Sequence, residues 1–135
     1  MANDSSQRSL GVPRTLLTAQ VLFFLVPALF GLAVGIATLA GGTPPGALGR
    51  ALLVYSLAGG ALGAVMAAAG ALITANLSRG ALARRTALLY EAVVAVIIAP
   101  LGAVLIPVLF VPLFAAAVTV IATLRRQHPK YVPAA

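Results

Sequence analysis

The residue types that carry out acid–base and metal chemistry are scarce in this chain. It has two acidic residues, one histidine and no cysteine, and the motifs G-x-S-x-G, HExxH and GxxxxGK[ST] are absent. Asp4 lies near the N-terminus and Glu91 lies in a long apolar run, so no pair of carboxylates is placed for acid–base catalysis. His128 has no second histidine or cysteine with which to hold a metal ion. We therefore expect no catalytic residue, no metal site and no cofactor, and a protein that is not an enzyme.

The composition is typical of a protein surrounded by lipid. Of the 135 residues, 61% are hydrophobic and 8% are charged, and the mean hydropathy is +1.09. Soluble domains carry about 25% charged residues, which keep their surface in water. The sequence therefore predicts an all-α, polytopic integral membrane protein whose first partner is the lipid bilayer.

The cations of the chain are distributed as membrane orientation signals. Nine lysine and arginine residues against two acids give a net charge of +7. They flank apolar runs and are not interleaved with aromatic residues, which argues against a nucleic-acid surface. The abundance of arginine and alanine suggests a GC-rich bacterial genome. We expect the cell inner (cytoplasmic) membrane and no nucleic acid as partner.

Four membrane spans are predicted, because about 20 apolar residues cross a hydrocarbon core of roughly 30 Å. The apolar run 88–124 would be about 55 Å long as one helix at 1.5 Å per residue, which is too long for a single span. Pro100 and Gly102 discourage its continuation, so we predict a reversal near 99–106. The predicted spans are about 16–40, 51–75, 87–102 and 105–124 in a domain 16–126, between tails 1–15 and 127–135.

Charge places both termini in the cytoplasm, since cytoplasmic loops collect lysine and arginine. Four spans, arranged as two helical hairpins with the N-terminus inside, leave only Arg50 outside. Three spans would move Arg125, Arg126 and Lys130 outside and weaken this bias. The cations that four spans place inside are Arg8, Arg14, Arg79, Arg84, Arg85, Arg125, Arg126 and Lys130. Of these, we expect Arg79, Arg84 and Arg85 to orient the chain and contact anionic lipid head groups, at about 1 kcal/mol each.

Glu91 is the one acid within an apolar run, and two roles are open for it. It lies about 4–5 Å beyond Leu88 at 1.5 Å per residue, which places it one turn inside the cytoplasmic interface. It can pair with cations there, or it can couple to protons or cations that cross the membrane. We favour pairing, because a charge at this depth costs less than one at the midplane. The predicted interfacial polar cluster consists of Glu91, Gln20, Arg85, Arg125 and Arg126, and Thr123 can complete it.

Small residues at four-residue spacing predict close packing of the helices. Lipid is as apolar as leucine, so helices in a membrane associate where small side chains let their backbones approach. Such faces can bury contacts within the chain or between copies of it. The predicted packing residues are Gly31, Gly35, Gly59, Gly63 and Ala67, and a neighbouring ridge carries Ser56, Gly60 and Ala64.

Three prolines fall in or near the predicted spans. Pro27 and Pro112 are interior, so each is expected to free a backbone carbonyl and bend its helix. Pro107 is expected in the first turn of the last helix, where the missing N–H costs little.

Two classes of function stay open for a chain with so little candidate chemistry. The first is a non-enzymatic structural or accessory subunit, or an assembly partner, of a membrane complex, bound to another membrane protein or to a second copy. The second is a small oligomeric channel or transporter in which Glu91 and Gln20 form a cytoplasmic vestibule. The centres of the predicted spans are almost purely apolar, which favours the first class.

Overall fold

The computed structural model describes residues 10–42, 44–105 and 107–127, and helices account for almost all of them. The predicted tails lie mostly outside these ranges, as do Asp4, Arg8, His128 and Lys130. Within the described ranges no strand is present, which confirms the all-α class. The elements are α1 (Gly11–Gly41), α2 (Ala47–Asn76), a 3₁₀ turn (Leu77–Arg79), α3 (Ala81–Val93), a π-helical turn (Val94–Ile98), α4 (Ala99–Leu105) and α5 (Pro107–Arg126).

Three helical segments are long and apolar enough to cross a membrane. They are Gly11–Gly41, Ala47–Arg79 and Ala81–Val104. Large apolar side chains stand exposed along them, such as those of Phe30, Leu62 and Val96. Lipid chains are as apolar as these side chains, so contact with lipid would cover them at little cost in stability. The structure thus has three helices long and apolar enough to cross a membrane, which is consistent with the predicted class of a helical membrane protein.

Contacts within the chain divide it into two compact units. One unit is Ala19–Ala71, which holds most of α1 and α2. The other comprises the described parts of Met1–Thr18 and Leu72–Ala135.

The unit Ala19–Ala71 is a hairpin of α1 and α2. Between the two helices, Gly42 and Gly46 flank Pro44 and Pro45 with φ of 85° and 98°, and residues 47–50 of the glycine- and proline-rich segment 41–50 already belong to α2. Such positive φ values are readily adopted only by glycine, so the turn depends on these two residues. A Cβ added to Gly63 would lie 2.9 Å from the carbonyl oxygen of Phe24. The two helices therefore pack backbone against backbone.

A second hairpin forms in the other unit. Helix α5 contacts α4, the π-helical turn and α3 in turn, so it runs back along the segment that precedes it. It begins at Pro107, where a proline lacks only an N–H that the helix would not use. A Cβ added to Gly102 would overlap the Phe110 ring, so the absence of a side chain at Gly102 lets α4 and α5 meet near the reversal.

The break between the last two helices lies at the far end of the predicted range 99–106, beyond Pro100 and Gly102. Helix α4 includes both residues and continues to Leu105, and the next helix starts at Pro107. The reason is the π-helical turn Val94–Ile98 that comes directly before Pro100. A proline ring collides with the carbonyl four residues earlier in an α-helix, and a wider turn relieves this collision. The helix therefore absorbs its proline instead of stopping at it.

The interior prolines were predicted to lie within helices, and they do. Pro27 is inside α1 and Pro112 is inside α5. Helix α1 begins at Gly11, ahead of the predicted span start at residue 16.

Candidate functional site

Glu91 is the only acidic residue that the structure describes, and its side chain is fully buried, with 0% of its surface exposed. It lies near the end of α3 and directly precedes the π-helical turn. The N–H of Val94 donates to the carbonyls of both Glu91 and Tyr90, and the N–H of Ala99 donates to the carbonyl of Val94, five residues back. Turns of this width recur at functional sites in helices. The buried acid and the irregular turn between α3 and α4 are thus adjacent.

The buried side of α3 and its continuation is a stripe of small and apolar residues. Glu91 shares it with Ala87, Val94, Ala95 and Ala99, each at most 6% exposed. Helix α5, which contacts α3, carries its own buried stripe at helical spacing: Leu113, Ala117, Val120 and Leu124. The carboxyl group therefore sits on the packing side of its helix and not on a side open to lipid.

The structure separates the predicted members of the polar cluster by exposure. Glu91 is enclosed, whereas Arg85, Arg125 and Arg126 are exposed. Arg125 and Arg126 form the last turn of α5, where cations favour the negative end of the helix dipole. Gln20 is also buried, at 2% exposed, and belongs to the other unit. Pairing of Glu91 with any of the three arginines stays a prediction.

The threonines of α5 direct their hydroxyl protons into their own helix. Thr123 Oγ1 donates to the carbonyl of Thr119 at 2.7 Å, and Thr119 Oγ1 donates to the carbonyl of Ala115 at 2.8 Å. Threonine commonly bonds this way inside helices. Thr123 can therefore offer a polar cluster only an acceptor oxygen.

In the α1–α2 hairpin, Gly60 of α2 contacts the backbone of α1, whereas Gly59 does not. A Cβ on Gly31 would lie 2.7 Å from the carbonyl oxygen of Ser56 and 3.0 Å from Gly60 Cα, and one on Gly35 would lie 2.7 Å from Leu57 Cγ. A Cβ on Gly60 would lie 2.7 Å from the amide nitrogen of Leu32. Sequence reasoning named the ridge of Gly60 but did not choose it, because the two ridges have equal spacing.

The remaining predicted packing residues, Gly59, Gly63 and Ala67, fall into a buried group and an exposed one. Gly63 and Ala67 are buried. Gly59 is exposed, and a Cβ added to it would meet nothing within 4 Å. Gly59 therefore makes no close contact within the hairpin and is open to a different partner.

An open groove runs over this free side of the hairpin, and we name it the Gly59 groove. Its volume is about 270 Å³. Small residues form its floor, and the exposed side chains of Phe30 and Tyr55 stand at its edges. The lining residues are Pro27, Phe30, Gly31, Tyr55, Ser56, Gly59 and Gly60.

The chain matches no family model, no curated protein and no solved structure. Among the described residues, no group of three or more histidine, cysteine or acidic residues is close enough to hold a metal ion. The function is therefore argued from the two features above, the buried acid and the Gly59 groove.

The three arginines between the second and third apolar segments differ in their surroundings. Arg79 ends the 3₁₀ turn and is exposed, Arg84 is partly buried, and Arg85 is exposed. Gly80 joins the turn to α3 with φ of 126°, and its carbonyl accepts the N–H of Arg84 at 3.3 Å. The three cations thus lie at the junction of two apolar segments that are each long enough to cross a membrane.

Proposed function

We propose that the protein is a small integral membrane protein with an accessory role. It acts as a non-enzymatic subunit or assembly partner of a larger membrane complex in the bacterial inner membrane. The observation that carries this proposal is the Gly59 groove, a small-residue surface that the hairpin leaves open. Helices in lipid associate through such surfaces.

The topology that we propose has four spans with both termini in the cytoplasm. Helix α5 is the fourth span, and its 20 residues match the length needed to cross a bilayer. Its end carries Arg125 and Arg126, which then join Arg79, Arg84 and Arg85 on the cytoplasmic side. Arg50, near the start of α2, is the one cation placed outside.

The occupant that we assign to the Gly59 groove is a transmembrane helix of another protein. The floor of Gly59, Ser56 and Gly60 lets a backbone approach, while Phe30 and Tyr55 provide packing surface on either side. Phe30 is 71% exposed and Tyr55 is 77% exposed, so both have large areas to bury. Aromatic side chains bury large areas at protein interfaces, and tyrosine is among the residues that often contribute most to binding there.

Site-specific crosslinking tests this assignment. A photoreactive amino acid at Tyr55 is expected to crosslink to one membrane protein, which co-purifies with the chain in mild detergent. Gly59→Leu fills the groove and should abolish both the crosslink and co-purification. Ala61→Leu, an exposed position of α2 outside the groove, should leave them unchanged. Crosslinks to lipid alone would refute the accessory role, as would equal co-purification of the partner with the parent protein, Gly59→Leu and Ala61→Leu. Crosslinks between two copies of the chain would show that the partner is a second copy and not another protein.

A second function is favoured by one observation, the burial of Glu91 beside the π-helical turn. An acid held inside a membrane helix is costly and commonly serves ion or proton movement. In this function an oligomer conducts, and Glu91 lines its cytoplasmic vestibule. Liposomes that contain the purified protein would then show flux down an ion or proton gradient, and Glu91→Gln would abolish it. The absence of flux for protons, sodium, potassium and chloride would exclude this function.

A further inference from the structure

The junction between α2 and α3 holds a second cavity, of about 330 Å³, which we name the Arg79 cavity. It lies between the last turn of α2 and the first two turns of α3. All of its lining residues belong to the same unit of the chain. They are Leu72, Ile73, Asn76, Arg79, Leu82, Ala83 and Thr86.

The polar lining of this cavity has one positive charge and no negative charge. Asn76 Nδ2 donates to the carbonyl of Leu72 at 2.7 Å, and Thr86 Oγ1 donates to the carbonyl of Leu82 at 3.0 Å. These bonds hold both side chains against their own helices. Arg79 is the remaining polar group of the lining, and its guanidinium can donate two parallel hydrogen bonds to a phosphate.

The charge around the cavity has the same sign. Arg84 and Arg85 follow on α3, and residues 72–90 include no acid. An anionic group near Arg79 would therefore meet three cations and no repulsion from this segment. Arginine rather than lysine at all three positions suits binding of phosphate, because its planar fork matches phosphate oxygens.

The apolar lining selects a ligand that also has a hydrocarbon part. Leu72 and Leu82 stand at the cavity with 66% and 79% of their surface exposed. The cavity lies between two segments that are each long enough to cross a membrane, so in a bilayer it would lie beside lipid. Its volume is at the small end of the range for ligand sites, about 300–1,000 Å³. That is room for a head group and the start of an acyl chain, while the rest of the chain stays in the bilayer.

We propose that the Arg79 cavity binds one anionic phospholipid of the surrounding leaflet, with its phosphate on Arg79 and an acyl chain against Leu72 and Leu82. This differs from the general attraction of a basic loop to an anionic surface, because it assigns one lipid to one cavity. The proposal rests on placement of the chain in a membrane and is independent of the accessory role, so either can fail without the other.

Native mass spectrometry of the detergent-solubilised protein tests the proposal. The protein is titrated with phosphatidylglycerol and, in parallel, with phosphatidylcholine. We expect one phosphatidylglycerol to bind each chain well before any further lipid, and phosphatidylcholine to bind without such a first step. Equal binding of the two lipids would overturn the proposal.

A pair of arginine variants separates a specific site from diffuse attraction. Arg85→Gln removes an exposed cation outside the lining and should weaken binding about fivefold, the effect of one basic residue near a charged surface. Arg79→Gln removes the same charge and also the hydrogen bonds to phosphate, so it should weaken binding about fiftyfold or more. Equal effects of the two variants would show diffuse attraction only and would overturn the proposal.

A second pair of variants tests the cavity without any change of charge. Ala83→Phe fills the cavity and should abolish the first binding step, whereas Ala81→Phe, at an exposed position outside the lining, should preserve it. Circular dichroism establishes that each variant keeps its helices. Binding that survives Ala83→Phe would refute the site. Glycerol phosphate, which has the head group but no acyl chain, should not displace the lipid, and displacement at equal concentration would assign the cavity to a soluble phosphate instead.

Discussion

Gly31 and Gly60 hold the backbones of α1 and α2 in contact, since a Cβ on Gly31 would lie 3.0 Å from both the Cα and the amide nitrogen of Gly60. Neither residue can gain a side chain unless the helices separate. Gly59, one position earlier, has open space beside it. Two adjacent glycines of α2 therefore differ in whether a side chain fits: none fits at Gly60, and one fits at Gly59.

This difference predicts opposite effects of the same substitution. Gly60→Ala forces a methyl group against backbone atoms of α1, so it should lower the free energy of unfolding by about 1–3 kcal/mol. Gly59→Ala meets no obstacle and should leave the free energy unchanged or raise it by up to about 1 kcal/mol, because alanine favours a helix. Unfolding by sodium dodecyl sulfate in mixed micelles, followed by circular dichroism, measures both. Equal destabilisation by the two variants would contradict the packing described.

The contact of Gly102 with Phe110 predicts a compensating pair of substitutions where α4 turns back into α5. Gly102→Ala places a methyl group where the Phe110 ring lies, and should destabilise the hairpin by about 1–3 kcal/mol. Phe110→Leu provides a smaller and more adaptable side chain. The double variant should therefore be more stable than the sum of the single effects predicts, by about 0.5 kcal/mol or more. Additive effects in the same unfolding assay would show that the two residues do not meet.

The proposed ion pair of Glu91 can be tested with three neutral variants. If Arg85, Arg125 or Arg126 pairs with Glu91, its replacement by glutamine leaves a buried charge uncompensated and should cost about 3–5 kcal/mol. Glu91→Gln in the same protein should then restore most of the loss, because no buried charge remains. Thermal unfolding in detergent gives the four values needed for each cycle. If all three arginine variants are as stable as the parent, with and without Glu91→Gln, the pairing is refuted.

The absence of native cysteine makes the four-span topology directly testable. Single cysteines at Pro45, Ser78 and Ala135 can be labelled in intact cells with a thiol reagent that does not cross membranes. Four spans predict that only Pro45→Cys reacts before the cells are broken. Three spans would place the C-terminus outside, so labelling of Ala135→Cys in intact cells would contradict the topology. The cysteine-free parent protein is the control for background labelling.

Much of the fold could be predicted from composition and periodicity. Apolar length and the scarcity of charge predicted membrane helices, and the glycines and prolines of 41–50 are typical of the connection that separates α1 from α2. The start of the last helix at Pro107 could also be predicted, because a proline suits the first turn of a helix. These features depend on the local chain alone.

The site could be predicted only in part. Glu91 stood out as the one acid in an apolar run, but its complete burial depends on how the chain packs and not on its distance from Leu88. The π-helical turn that carries the helix through Pro100 has no sequence signal of its own. The Arg79 cavity lies between the last turn of α2 and the first turns of α3, a geometry that spacing along the chain does not define.

The sequence by itself determined that the chain forms helices long and apolar enough to cross a membrane, with glycine-rich faces, because hydropathy and helix propensity act on each segment separately. The tertiary structure decided which glycine each helix uses. Gly59 and Gly60 lie about 100° apart around one helix, as 3.6 residues per turn requires, and both belong to regular small-residue ridges. Only contact with α1 distinguishes them, since backbone atoms of α1 lie within 3.0 Å of where a Cβ on Gly60 would be, whereas the same position on Gly59 is open.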